Sequence, residues 1–532
     1  MPAGSEVRLA REMSLTDITM IGVGAMIGAG IFVLTGIAAG VAGPGLLLAF
    51  LLNGVVTLFA AGAYAELGSS FHDAGGGYLW VKTGLPEPNG FLSGWMSWFA
   101  HAVACALYAL GFGAYFKVVL PLLGITPPET AFLPLEKWLA VGVVALFAYI
   151  NYRGASETGK DGNVVTIAKI VVLAIFVALG IVITFRRPDW NAAFRDFLPN
   201  GFGGVVTAMG LTFIAFEGYE IIAQCSEEVR EPKKNVPRAV FLSLLIVIPI
   251  YLLVAFAALG AVDVPGIPAW QFLGQQKETA LVDIAENFFH GGAAMILVGG
   301  LLSTMSALNA TIYSSSRVSF AMGRDRNLPT WFGKVHPRRK TPHWAIAVSG
   351  VLIAFMAAAL PIEAVASAAD IMFLLLFIQV LLVLVALRRK MPDLDRGFRV
   401  SWVPFLPVVG IVLQLVLAVF LPIYSPQALL SAGAWILVGV GIFCVYSRKR
   451  DRAYGNLVAV REATRQREYR ILACLAHPDH AGPILAVAGD MAGHYSGEVV
   501  ALNVVEVPDG EARRRRRRPV PGWTPGRSPD VH

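Results

Sequence analysis

Two short runs of this chain put backbone chemistry inside apolar segments that would otherwise be unbroken helix. The first is Gly22-Val23-Gly24-Ala25-Met26-Ile27-Gly28-Ala29-Gly30-Ile31-Phe32, and the second is Phe213-Ile214-Ala215-Phe216-Glu217-Gly218-Tyr219-Glu220. A helix that unwinds frees N–H groups on one side of the break and C=O groups on the other. Freed N–H groups at Gly28, Ala29 and Gly30 suit a carboxylate, helped by the dipole of the half-helix that follows. Freed carbonyls at Met26 and across Ala215, Phe216 and Glu217 suit an ammonium. Together they fit a zwitterion, the main-chain part of an amino acid. A third candidate is Lys169, inside Thr166-Ile167-Ala168-Lys169-Ile170-Val171-Val172-Leu173. It lies about 12 Å into an apolar run at about 1.5 Å per residue. A charge at that depth is costly and by default marks a functional path. An amine there that is alternately charged and neutral could carry a proton. The competing reading is a lysine that snorkels to the interface.

The elements that must hold these groups are membrane helices. Of the 532 residues, 56% are hydrophobic and only 15% charged, with a mean hydropathy of +0.63. A soluble chain is normally about a quarter charged. Twelve apolar runs of bilayer-crossing length are read at 15–40, 43–69, 91–120, 136–152, 163–185, 203–224, 239–261, 281–310, 344–360, 364–387, 402–421 and 426–446. Unwound backbone is tolerated in lipid only where protein buries it or it lines a cavity. Interrupted segments at matching places in two halves of a membrane chain point to a transporter binding site. Spans one to five and six to ten form two candidate repeats of opposite topology, with the breaks in spans one and six. Taken alone, Gly24-x-x-x-Gly28 is also a helix-packing motif. A dinucleotide fingerprint is excluded by glycine spacing and by the lack of a preceding strand.

Charge sets the expected orientation. Arg153/Lys160, Arg230/Lys233/Lys234/Arg238, Arg338-Arg339-Lys340 and Arg388-Arg389-Lys390 fall on one set of loops, which the positive-inside rule places in the cytoplasm with both termini. The net charge of +7 is largely this signature plus the tail, so no nucleic-acid partner is expected. No cleavable signal peptide is expected ahead of the first span. Cys105, Cys225, Cys444 and Cys474 show no metal or disulfide spacing. Glu66, Glu220, Glu227 and Glu228 are expected at the inner mouth, solvated or paired with Arg153, Lys160 or Arg230. His101 reads as a hydrogen-bonded packing residue, and Trp95 and Trp98 as anchoring or packing. Asp370 is open. No His/Glu metal set or Ser/His/Asp arrangement emerges in the spans, so neither an enzyme nor a cofactor is expected.

Several motifs in order carry a family resemblance. Residues 22–36 resemble the first span of the APC (amino acid–polyamine–organocation) superfamily. Tyr64-Ala65-Glu66-Leu67-Gly68 with Ala74-Gly75-Gly76-Gly77-Tyr78 is similar to the stretch that follows its second span. Glu227-Glu228-Val229 with Glu231-Pro232-Lys233-Lys234-Asn235-Val236-Pro237-Arg238-Ala239 resembles the stretch after span six. Ser306-Ala307-Leu308-Asn309-Ala310-Thr311-Ile312-Tyr313 and Gly323-Arg324-Asp325-Arg326-Asn327-Leu328-Pro329 resemble the end of span eight. The resemblance implies an all-α membrane protein of twelve transmembrane helices, a 5+5 inverted repeat with helices 1 and 6 broken, working by alternating access. Carried over, it implies substrate carboxylate at Gly28, Ala29 and Gly30 and amine at the carbonyls of Met26, Ala215 and Phe216. In its proton-coupled branch a span-five lysine replaces a sodium ion, and Lys169 resembles that residue, bonding the Gly24 carbonyl and the hydroxyls of Ser303 or Ser306. Position 217 is often uncharged in the family. Glu217 either tunes the pocket toward a basic side chain or hydrogen-bonds elsewhere.

After Tyr446 the composition changes. The chain is expected to divide into a transporter domain 1–447, a basic juxtamembrane linker 448–467 touching anionic lipid, a small partial α/β cytoplasmic segment 468–510 and a disordered Arg/Pro/Gly tail 511–532. Arg470–Ala476 and Glu498–Pro508 read as strands around a helix near 481–495. This order resembles the opening of a universal stress protein domain, without that family's glycine-rich nucleotide loop. The function implied is secondary transport of amino acids at the cell membrane by proton symport. The alternatives are a polyamine or sodium-coupled transporter, or an amino-acid sensor signalling through the tail. Neither the substrate's side chain nor the oligomeric state is legible.

Overall fold

Without water to satisfy it, a spanning backbone must pair its own N–H and C=O groups, and helices do so within one segment. The computed structural model describes residues 13–71, 76–125, 133–154, 160–448, 450, 470–475, 478–494 and 498–503. In chain order the helices are α1 (Leu15–Met26), α2 (Ala29–Ala42), α3 (Leu46–Ser70), α4 (Gly76–Gly84), α5 (Asn89–Leu122), α6 (Leu135–Arg153), α7 (Lys160–Arg186), α8 (Gly201–Thr212), α9 (Tyr219–Gln224) and α10 (Pro232–Ala261). Next come α11 (Ala269–Gln276), α12 (Ala280–Glu286), α13 (Gly292–Arg324), α14 (His343–Ala359), α15 (Ile362–Lys390), α16 (Phe405–Tyr424) and α17 (Pro426–Ile442).

Among the described residues, nine helical stretches are long and apolar enough to cross a membrane. The first, Leu15–Ser70, holds two of the expected spans, while His343–Ala359 and Phe405–Leu421 are apolar but shorter. The expected span 281–310 is corrected: α12 stops at Glu286 and α13 starts afresh at Gly292. Gly291 stands between them at φ 97°, a left-handed conformation that interrupts a helix.

Two ties fix the start of the bundle. The Ser14 hydroxyl accepts the Asp17 N–H at 3.3 Å while the Asp17 carboxylate accepts the Ser14 N–H at 2.9 Å, a capping box for α1. Just upstream, the Met13 N–H reaches the Glu228 carbonyl at 3.0 Å and the Arg230 N–H reaches the Met13 carbonyl at 2.9 Å. The chain entering α1 is thus stitched to the chain leaving α9.

Around this pair α13 packs along α5 and α10 along α3, while α11 covers α2 at the opposite face. Trp95 stacks on Trp435 at 4.3 Å, and each indole N–H donates to the other's carbonyl, at 2.7 and 3.1 Å. Trp95 therefore packs rather than anchors. His101 bonds the Ser97 carbonyl at 2.6 Å and sets its ring against Phe373.

Glu66 corrects its expectation. It is fully buried, and its partners are Arg388 at 2.6 and 2.7 Å, Arg396 at 3.1 Å and the Val400 N–H at 2.7 Å. The last turn of α15, with Arg388, and the segment after it, which folds over the end of α3, supply the donors that a buried carboxylate requires. Arg396 also donates to the carbonyls of Leu387, Met391 and Leu394, satisfying the end of α15.

The chain divides into two units, 1–451 and 452–532. In the second, β1 (Arg470–Leu475) and β2 (Glu498–Asn503) run parallel, with Arg470 opposite Glu498 and Leu475 opposite Asn503, and α18 (Pro478–His494) lies between them in sequence. Most of the expected linker, the remainder of the second strand and the arginine run 513–518 lie outside the described residues.

Glu66→Gln leaves two guanidiniums facing a neutral amide. Breaking a buried ion pair costs about 3–5 kcal/mol, so in detergent this variant is expected to lose its monodisperse size-exclusion peak at a lower temperature than the wild type. Equal heat resistance would show that the network carries no stability.

Candidate functional site

The first break is a single tight turn. Ile27 has φ −73° and ψ 70°, the geometry of an inverse γ-turn, and it folds the Gly28 N–H back onto the Met26 carbonyl at 2.7 Å. This alters the expected cradle. The Gly28 N–H is occupied by its own chain, whereas Ala29 and Gly30 open α2, where first-turn N–H groups have no partner in their own helix. The open donors are shifted one residue along from where the glycine pattern points.

The same turn orphans carbonyls, and side chains from three helices take them. In a continuous helix the Gly24 carbonyl would bond the Gly28 N–H. Here it accepts Lys169 Nζ at 2.8 Å, and Lys169 also donates to the Ile27 carbonyl at 3.0 Å. Lys169 is fully buried on α7. The Ser303 hydroxyl of α13 bonds the same Ile27 carbonyl, and the Ser306 hydroxyl turns back to the Ser303 carbonyl at 3.2 Å. Lys169, Gly24 and Ser303 are brought together; Ser306 lies one helical turn away and lines the cavity described below. The part played by the Ile27 carbonyl was not legible, because it follows from the turn and not from a residue type.

The second break is longer. Phe213–Phe216 form one turn of 3-10 helix, Glu217 is extended, and Gly218 takes φ 137° before α9 begins. Side chains disfavour that φ, and a Cβ on Gly218 would stand 2.8 Å from both the Ala25 Cβ and the Met26 nitrogen. A Cβ on Gly30 would meet the Ala215 Cβ at 2.5 Å. The two breaks therefore lie against each other at two points, which only hydrogen-sized side chains permit. Glu220 is buried, not interfacial as expected, and its carboxylate accepts the Gly218 N–H at 2.6 Å. Asn53 on α3 closes the end of α8, donating to the Met209 carbonyl at 2.9 Å and the Thr212 hydroxyl at 3.1 Å.

Tyr251 on α10 joins the breaks. Its hydroxyl lies 2.6 Å from the Met26 carbonyl and 2.8 Å from the Ala215 carbonyl. These are two of the carbonyls expected to face an amine. The Met26 carbonyl, already bonded by the Gly28 N–H, is thereby saturated, whereas the Ala215 carbonyl keeps one lone pair for a further donor. Sequence reasoning missed Tyr251: a lone tyrosine in an apolar helix carries no signal of its target. Phe216, buried at the same point, sets its ring edge-on to Tyr251 at 5.1 Å.

From the break a cavity of about 210 Å³ runs along the ends of α1, α7, α9 and α13, lined by Gly24, Ala25, Thr166, Gln224, Ser306 and Asn309. At its mouth burial pushes the Glu228 carboxyl above the usual range, against the pull of the Arg317 guanidinium. Arg317 itself lies over the Tyr313 ring at 4.5 Å.

Residues 13–445 match a family model described as amino acid permease. The chain belongs to that family. It is 33% identical to the branched-chain amino acid permease BcaP of Bacillus subtilis over 84% of this chain and 95% of that protein. It is 31% identical to the methylthioribose transporter of the same organism, over 83% and 95%. Against BcaP of Lactococcus lactis the identity is 28%, over 83% and 95%. These relatives make the chain a multi-pass membrane transport protein and not an enzyme.

Tyr251→Phe keeps the ring and removes the side-chain donor that, among the described residues, the two breaks share. Leaving the buried Ala215 carbonyl without this donor costs about 1–3 kcal/mol, and the variant is expected to melt earlier in a thiol-dye or light-scattering scan. An unchanged melting curve would mean that the hydroxyl is dispensable to the joint.

Proposed function

We propose that this protein is a proton-coupled amino acid transporter of the cell membrane, working by alternating access through twelve helices. Spans one to five and six to ten are the inverted repeats, and both termini are cytoplasmic. One observation carries the reading: a buried lysine holds the carbonyls released by a helix break, beside open N–H groups at the start of the next half-helix. In lipid such irregular backbone accompanies a binding site.

The substrate carboxylate meets the N–H groups of Ala29 and Gly30, beside the turn at Gly28. Its ammonium takes the remaining lone pair of the Ala215 carbonyl, together with the Phe216 carbonyl, while the Met26 carbonyl stays saturated by Gly28 and Tyr251. Protonated Lys169 bonds Gly24 and Ile27 and holds the first break closed. A neutral amine binds those carbonyls more weakly, since hydrogen bonds from charged donors are about twice as strong. Loss of the proton therefore loosens the turn that frames the carboxylate cradle, which links proton and substrate. The cavity at the ends of α1, α9 and α13 corresponds to an inward-facing state, because those ends belong to the Lys/Arg-rich side expected in the cytoplasm. The amino acid permeases among its relatives support amino acids as cargo, and membrane lipid contacts the basic segment after Tyr446.

In proteoliposomes, Lys169→Ala is expected to abolish accumulation driven by an imposed pH gradient while the protein still inserts. Accumulation equal to the wild type would remove the proposed coupling, as would dependence of wild-type uptake on sodium.

A further inference from the structure

Two acidic side chains at the second break have no place in this account. Glu217 and Asp370 are 3% and 0% exposed, and none of their four carboxylate oxygens has a hydrogen-bond partner among the described residues. Glu217 lies within electrostatic reach of Asp370 and Glu220, and the Ile214 N–H, within the 3-10 turn, approaches the Asp370 carboxylate without reaching regular hydrogen-bond geometry. The contrast with Glu66, equally buried and saturated by two arginines and an N–H, is direct. Glu220 is answered by the Gly218 N–H. Burying a carboxylate without donors is costly, and here two such groups face one another.

Their surroundings connect them to the cradle. The Tyr108 ring stands 2.9 Å from where a Gly28 Cβ would lie and is within electrostatic reach of Glu217. Tyr219, whose hydroxyl is also buried without a partner, is within reach of Glu217 too. The Tyr219 ring lies 5.7 Å from that of Phe377, two turns along α15 from Asp370. The pair thus adjoins the main-chain subsite, bordered by aromatic rings, with a single approaching backbone N–H, that of Ile214, for four carboxylate oxygens. An ammonium carries three N–H donors and a guanidinium five, with no acceptor to waste, and both are drawn to aromatic faces.

We propose that Glu217 and Asp370 form the side-chain subsite of the transport site and take the ammonium or guanidinium of an amino acid with a cationic side chain. This rests on the amino-acid transport reading above and narrows it to a substrate class. A proton shared by the two carboxyls would relieve the same shortage without any cation. That is the rival outcome of the test.

The experiment is exchange in proteoliposomes of the full chain, without ion gradients, using labelled L-arginine and labelled L-leucine in parallel. L-arginine is expected to exchange and L-leucine to do so poorly. In Asp370→Asn and Glu217→Gln the ratio of arginine to leucine exchange is expected to fall roughly thirtyfold, the size of effect seen when one partner of a buried charge pair is lost. If the wild type exchanges leucine while unlabelled L-arginine and L-lysine neither exchange nor compete, the subsite is overturned and amino-acid transport stands. If neither labelled amino acid exchanges, the transport reading falls, and this proposal with it. Should the variants fail to fold, the wild-type competition alone decides.

Discussion

A hydroxyl placed between two interrupted helices is the point on which the rest of this structure hangs. Breaking a helix inside a bilayer leaves carbonyls that water cannot reach, and each must find a donor or destabilise the fold. Here the donors come from outside the broken segments. Tyr251 serves Met26 and Ala215 together, Lys169 serves Gly24 and Ile27, and Ser303 serves Ile27. The breaks persist because α7, α10 and α13 are built to receive them.

Close approach is the second constraint. Gly30 against Ala215, and Gly218 against Ala25 and Met26, bring two unwound backbones within reach of one hydroxyl. Larger side chains would separate the carbonyls and leave Tyr251 able to serve only one. The sparing of side-chain volume and the placing of the tyrosine are therefore one requirement. It couples residues far apart in sequence, so neither break could be changed alone without loosening the other.

Much of this architecture was legible beforehand, and the misses have physical causes. Apolar runs and glycines located both breaks to within a residue or two, because breaks in apolar helices need residues without side chains. Lys169 declared itself as a charge in an apolar run. The identity of the open N–H groups depended on the γ-turn at Ile27, a backbone conformation that residue types do not specify. Glu66 and Glu220 were placed at a solvated mouth because their position near span ends suggested water. Their partners, Arg388, Arg396 and the Gly218 N–H, come from the end of a distant helix, the loop after it and a local cap that periodicity does not reveal. Tyr251 was invisible for the reverse reason: nothing around it in sequence is polar. The single segment 281–310 proved to be two helices because Gly291 adopts a left-handed conformation, which an apolar average conceals.

The stitch between Met13 and Val229 has a mechanical consequence. It fastens the entry of α1 to the exit of α9 at one face, while Gly218 against Ala25 and Met26 fastens the same pair near the break. Joined at both places, the half-helices act as one lever. Strain applied at the outer end of either half-helix is therefore passed to the other at the level of Gly218, where the two backbones leave no room for a side chain between them.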